Sequence, residues 1–353
     1  MSEVRLRLIN IVAVLLLADT AATSQDRSGG PCAGVEPALR SGTEALDRGE
    51  WAEAERRLQP LSASHADCVG VVLGLARLRA ARGEPGEAER LFVRATTLAP
   101  DDALAHALFA HYWLSRGEPA RAEDLTALAL SLNPESPEAL VLKGRILSMR
   151  GLIQDARQAL EKAARLNPEN AEAHYRLGIW FFGRRLHAEA AARFERAATL
   201  RAVDALAHDY LALSREALGE AEGAEAAYRS ALKVNEGPFF DSFLDYNYGR
   251  FLLKQMRPEE SRSHLDRAVA LMPEHRGVHY ERAKLKMAQS DYPAAREDAE
   301  RALGLRNPGN LVLDVQVYYL LSTVYARLGE QELARKYAEL SRTTPIPQND
   351  GRR

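Results

Sequence analysis

One spacing governs this chain: small residues return every 34 positions. Units begin at Val35, Val69, Ala103, Pro137, Ala171, Ala205, Ser242, Arg276 and Val315. Their twentieth residues are Ala54, Ala88, Ala122, Ala156, Ala190, Ala224, Ser261, Ala295 and Ala334. Their eighth are Gly42, Ala76, Ala110, Gly144, Gly178, Ala212, Gly249, Ala283 and Ser322. Small side chains at both positions in all nine units require two helices that approach too closely for anything larger. The first six units follow without a slip; Phe239 to Asp241 are inserted before the seventh, and residues near Asn310 to Asp314 before the last.

The stretch Pro137 to Asn170 shows what one unit is. Leu140, Gly144 and Leu147 share one face of a helix, and Ala156, Leu160, Ala163 and Ala164 one face of a second. Gly151 separates the two by taking a left-handed conformation, and Asn167-Pro168 ends the second. Such a pair cannot bury both of its faces alone, so it needs neighbours of the same shape.

The pattern resembles the tetratricopeptide repeat over roughly Val35 to Ser341, with nine copies in register. The resemblance implies an all-α, right-handed superhelical solenoid of helix-turn-helix repeats. It also implies that the first helix of each unit lines an inner, concave side where peptides or helices bind. The chain departs from the family pattern at the closing proline (Ala66, Ala202, Glu236) and at the mid-unit glycine (Arg185, Met256, Ser290). These changes bear on local turns.

A hydrophobic content of 46% with only 7% aromatic residues suits an alanine-rich helical stack. Lys and Arg number 47 against 49 Asp and Glu, a net charge of −2, which gives no electrostatic support for binding nucleic acid or an acidic membrane surface.

Residues 1–24 stand outside the repeat and read as a signal peptide: Arg5 and Arg7, then the apolar run Leu8 to Ala18, then Ala22-Thr23-Ser24. The run is shorter than the ~20 residues that span a bilayer, so any membrane link is through an uncleaved signal. Cleavage near Gln25 would leave an exported protein, periplasmic or extracellular. Residues 25–34 read as a flexible spacer. Cys32 and Cys68 bracket the first unit at one end of its helix pair, and in an oxidising compartment they can form a disulfide. Two free thiols are the alternative.

Between the sixth and seventh units, Asn235 to Pro238 breaks a helix and six aromatics follow within Phe239 to Phe251. This fits either a lengthened helix filling a gap in register or an aromatic landing site. Residues 342–353, polar and proline-broken, read as a disordered tail.

No motif for catalysis emerges, with no G-x-S-x-G, GK[ST], G-x-G-x-x-G or HExxH. His106, His174, His208 and His279 all stand fourth in their units, but packed helices 8–10 Å apart cannot bring such a ladder to the ~2 Å that zinc requires. The expectation is a non-enzymatic protein with no metal, cofactor or small-molecule substrate. On the inner face, offsets five and nine supply Arg77, His111, Arg145, Tyr175, Tyr246, Arg250, Tyr280, Lys284 and Tyr319. Tyrosine and arginine are frequent interface anchors, suited to a partner bearing carboxylates and apolar side chains. The lysine and asparagine of chaperone-binding relatives are missing at these offsets. The sequence thus describes an exported adaptor for a protein or peptide partner; a self-associating scaffold is the alternative, and a nucleic-acid reader of the pentatricopeptide kind is disfavoured.

Overall fold

The computed structural model describes residues 31–236, 240–307 and 312–345, and all its regular structure there is helical. Helix α1 (Glu36–Asp47) pairs with α2 (Trp51–Leu58), and Pro60 then separates α2 from a single turn, α3 (Leu61–Ser64). After it α4 (Val69–Ala81) pairs with α5 (Pro85–Leu98), α6 (Ala103–Ser115) with α7 (Pro119–Leu132), and α8 (Pro137–Met149) with α9 (Ile153–Leu166). The pairs α10 (Ala171–Phe182) with α11 (His187–Leu200) and α12 (Ala205–Leu218) with α13 (Ala221–Val234) follow. Two compact units divide at Phe240/Asp241. The second holds α14 (Leu244–Lys254) with α15 (Pro258–Leu271), α16 (Arg276–Ala288) with α17 (Tyr292–Gly304), and α18 (Asp314–Leu328) with α19 (Gln331–Thr343).

Why the eighth residue must be small is visible in the four hairpins that carry glycine there. A β-carbon on Gly144 would lie 2.6 Å from Leu160, and one on Gly178 2.6 Å from Phe194. Gly42 faces Leu58 and Gly249 faces Leu265 in the same way. The large residue at offset 24 therefore plugs into the gap left at offset eight, and Leu58, Phe92, Leu160, Phe194, Tyr228 and Leu265 are all fully buried there. At offset twenty every side chain is buried; Ser261, which replaces alanine, donates its hydroxyl to the Gly249 carbonyl across the hairpin at 2.7 Å.

The turn inside each hairpin is left-handed throughout, with φ from +59° to +82°. Arg185, Met256 and Ser290 adopt it at +60°, +59° and +62°, so loss of the glycine strains the turn without changing its course. First helices open on side-chain caps: Asp102, Ser136, Asn170 and Asp204 accept backbone N–H groups of α6, α8, α10 and α12. Cys68 holds that position before α4 and caps nothing. It is bonded instead to Cys32, with Cα atoms 4.8 Å apart, closing a stretch of 36 residues.

The aromatic seam does not lengthen its helix. α14 begins only at Leu244, three residues after Asp241, whose carboxylate accepts from the Phe243 N–H at 2.8 Å. Tyr248 and Phe251 are buried, and Phe240 is exposed. At the other end α19 continues to Thr343, into the stretch expected to be a tail. The signal peptide, most of the spacer (25–30), Phe239 and residues 346–353 lie outside the described residues.

Candidate interaction surface

The fourth-position histidines are structural. His106, His174 and His279 share a hydrogen bond from Nε2 to the carbonyl six residues back, Pro100, Pro168 and Pro273, at 2.8, 3.1 and 2.9 Å. His208 does the same with Ala202 at 3.2 Å, which also shows that the closing proline is dispensable for this contact. In α10/α11 the ring's other nitrogen lies 3.4 Å from Arg193, at offset 23 of the partner helix. In α16/α17 it meets Asp298 at 3.1 Å, and Asp298 also accepts from Arg282 at 2.7 and 2.8 Å. Burial alone would raise the Asp298 carboxyl, but the His279 and Arg282 hydrogen bonds hold it well below the usual carboxylate range. In α14/α15 the same two positions carry the opposite residues, Asp245 on the first helix and His264 on the second, 2.7 Å apart.

The first unit's inner face is closed and charged. Arg77, His111 and Arg145, at offset nine of α4, α6 and α8, are 3%, 4% and 8% exposed, and Leu73, Ala107, Val141 and Tyr175 at offset five are buried with them. Arg77 is paired with Asp47. On α10, Arg176 Nε donates to Glu172 Oε1 at 2.7 Å. Burial raises the Glu172 carboxyl, but Arg176, Arg145 and Arg201 outweigh it and hold Glu172 at about 2. Arg145 has no hydrogen bond or ion pair with a described residue, and its Nη1 is buried without a partner. Burial and the neighbouring Arg176 lower its guanidinium to about 9. Burial also holds His111 well below the ordinary histidine value, helped by Arg145 and Arg77. Tyr175, expected as an anchor on an open face, is instead edge-on to Phe194 and Tyr210 at 5.8 and 6.1 Å, and burial pushes its phenol well up.

In the second unit the same offsets stay accessible. Tyr246 is half-buried with its ring 5.6 Å from His275, and Arg250 is half-buried one turn on. Tyr280 is half-buried, Lys284 Nζ lies 5.5 Å from its ring centre, and that ammonium donates to Glu281 at 2.8 Å. Tyr319, on the next first helix, is 69% exposed.

Among the described residues no three metal-ligating side chains converge, and no helix is long and apolar enough to cross a membrane. Consecutive antiparallel hairpins whose polar groups are spent on caps and cross-helix ties define a helical-repeat protein. Two family models, each described as a tetratricopeptide repeat, match residues 45–112 and residues 141–206 and 280–348. Together they cover more than half of the chain, which belongs to the tetratricopeptide repeat proteins. Repeats of this kind are in general non-catalytic modules for protein interaction.

A comparison with curated proteins finds no match. Among solved structures, one chain of the APC/C hetero-tetramer Cut9–Hcn1 is similar, with a TM-score of 0.56 at 20% identity over 70% of this chain. This chain spans about half of that one (48%). Human IFIT1, solved as a dimer with PPP-AAAA, gives 0.55 at 18% identity, covering 87% of this chain and 72% of its own. PilF of Pseudomonas aeruginosa gives 0.52 at 18% identity, covering 64% and 98%. At such identities the likeness is one of fold.

Proposed function

We propose that this protein is an exported adaptor that catalyses nothing itself and holds a protein or peptide partner against the inner side of its repeats. The observation that carries this reading is the accessible row of Tyr280, with Lys284 beside its ring, and the exposed Tyr319 at the same offset one repeat later. Flat amphipathic rings beside an ammonium suit an extended segment carrying carboxylates between apolar side chains. Export rests on the basic start, the apolar run and the small residues at Ala22 to Ser24, and a disulfide bond accords with an oxidising compartment. Human IFIT1 is described with PPP-AAAA, but 47 basic against 49 acidic residues give a polyanion little purchase here.

The test is capture of a partner from the native extract by the tagged protein, identified by mass spectrometry. Replacing Tyr280→Ala together with Tyr319→Ala is expected to abolish capture while the melting temperature moves by less than about 3 °C, since at least one ring is largely in solvent. Undiminished capture by a folded double variant overturns the assignment. An exposed tyrosine on the last first helix equally suits a second copy of the chain. Light scattering at tens of micromolar separates that scaffold reading from the adaptor.

A further inference from the structure

Offsets four and 23 face each other across a hairpin, and offset 26 lies one turn further along the second helix. In α14/α15 these places hold Asp245, His264 and Arg267, and the Asp245 carboxylate lies 2.7 Å from the imidazole and 3.7 Å from the guanidinium. In α16/α17 they hold His279, Asp298 and Arg301. There Asp298 meets His279 at 3.1 Å, and Arg301 is paired with Glu274 at 2.5 Å. In α10/α11 they hold His174, Arg193 and Arg196. Among the described hairpins, this one alone has a basic side chain at all three places and an acid at none.

The two guanidiniums are left with neutral acceptors. Arg193 Nη1 donates to His174 Nδ1 at 3.4 Å. Arg196 Nη2 donates at 3.4 Å to the Pro168 carbonyl, which already accepts from His174 Nε2 at 3.1 Å. Both bonds are long for a charged donor, whose contacts with a carboxylate run to about 2.7–2.9 Å. Neither arginine has an ion pair among the described residues. Both line a groove of about 420 Å³, together with His174 and Pro168. Phe181 of α10 and Ala192 of α11 are its apolar walls, and Glu189 also lines it. A volume of this order suits a small organic molecule.

The two related hairpins show what completes such a set of donors: one carboxylate, which the chain itself supplies there. Phe181 and Ala192 call for an apolar body behind that carboxylate. Glu189 sets a like charge against a dianion such as phosphate, which favours a ligand of single charge. We propose that the groove between α10 and α11 binds a small organic monocarboxylate, with Arg193 and Arg196 holding its oxygens and its apolar body on Phe181 and Ala192. The ligand takes the place that Asp245 fills in α14/α15.

The probe is 3-phenylpropanoate, titrated into the full chain 1–353 while the His174 ring is followed by NMR. A saturable shift of that ring is expected. The amide of the same acid, equal in shape and uncharged, is expected to bind at least tenfold more weakly. Arg193→Gln with Arg196→Gln is expected to weaken the acid at least tenfold and to leave the amide as it was. Ala192→Trp, which fills the groove and keeps both cations, is expected to abolish binding of either. Ala192 and Arg196 are exposed and Arg193 is half-buried, so the variants are expected to melt with the parent chain. Equal affinity for acid and amide, unchanged affinity in the folded double variant, or no saturable shift in the parent chain overturns the proposal. Displacement of the acid by equimolar phosphate overturns it too, since any anion would then serve. None of these residues belongs to the tyrosine row, so partner capture through Tyr280 and Tyr319 stands or falls separately.

Discussion

Glu172 is a carboxylate inside a helical stack, kept ionised by Arg176 at 2.7 Å and by the more distant Arg145 and Arg201. Its folded-state value of about 2 lies below the ordinary 4.5. The stabilisation it gives is complete above the ordinary value and is lost as pH falls from about 4.5 towards 2. His111, held below the ordinary 6.5 by burial, adds a loss of the same sign, beginning as pH drops through 6.5. Glu172→Gln is therefore expected to cost roughly 3 kcal/mol at pH 6, where it strands buried cations, and progressively less towards pH 3. Denaturant titrations at the two pH values check this; parallel losses would show that the carboxylate is not what titrates. Little of this cluster is legible from residue types. Arg77, His111 and Arg145 read as an exposed recognition row because periodicity tells which face a residue occupies and not what covers that face. The histidine ladder was visible, but its reason was not: each ring reaches a carbonyl six positions back, a contact that follows from the bend at the repeat junction.

Among elements, the hairpin turns carry the clearest cost. Met256 sits at φ +59° with its side chain in solvent, so it gains no packing to offset the left-handed backbone. Met256→Gly is expected to stabilise the protein by about 1 kcal/mol, read as a higher denaturant midpoint at unchanged slope. A lower midpoint would mean that Met256 makes contacts worth more than its backbone strain. The paired helices themselves were legible from the alternation of small residues, because a close helix approach leaves no choice at offsets eight and twenty. The plug at offset 24 was harder to see: it is Leu58, Leu160, Phe194 or Leu265 where a glycine stands at offset eight and Phe92, Thr126 or Tyr228 where an alanine does, so only the small residue across the hairpin shows what these residues share. The break of α2 at Pro60 and the late start of α14 are local decisions of proline and of the turn that Asp241 makes with the Phe243 N–H, which a period of 34 averages away.

For the molecule as a whole, stability in such a stack is a sum over neighbouring hairpins and not the property of one central core. A chain ended after Phe240 is expected to remain folded, with helical circular dichroism per residue within about a tenth of the full chain's and a cooperative melt. A non-cooperative loss of signal would show that the first unit needs the second. The division falls where the period slips, at Phe239 to Asp241, so the insertion marks more than a lengthened loop. The crossed tie between first and second helix has a different kind of consequence. His279 with Asp298 and Asp245 with His264 place one imidazole and one carboxylate at equivalent sites, with donor and acceptor trading strands of the hairpin. What is kept from one copy to the next is thus a complementary couple, not a letter in a column. Comparing copies position by position counts two mismatches where the hairpin has retained a single clasp, and it understates how alike neighbouring segments are.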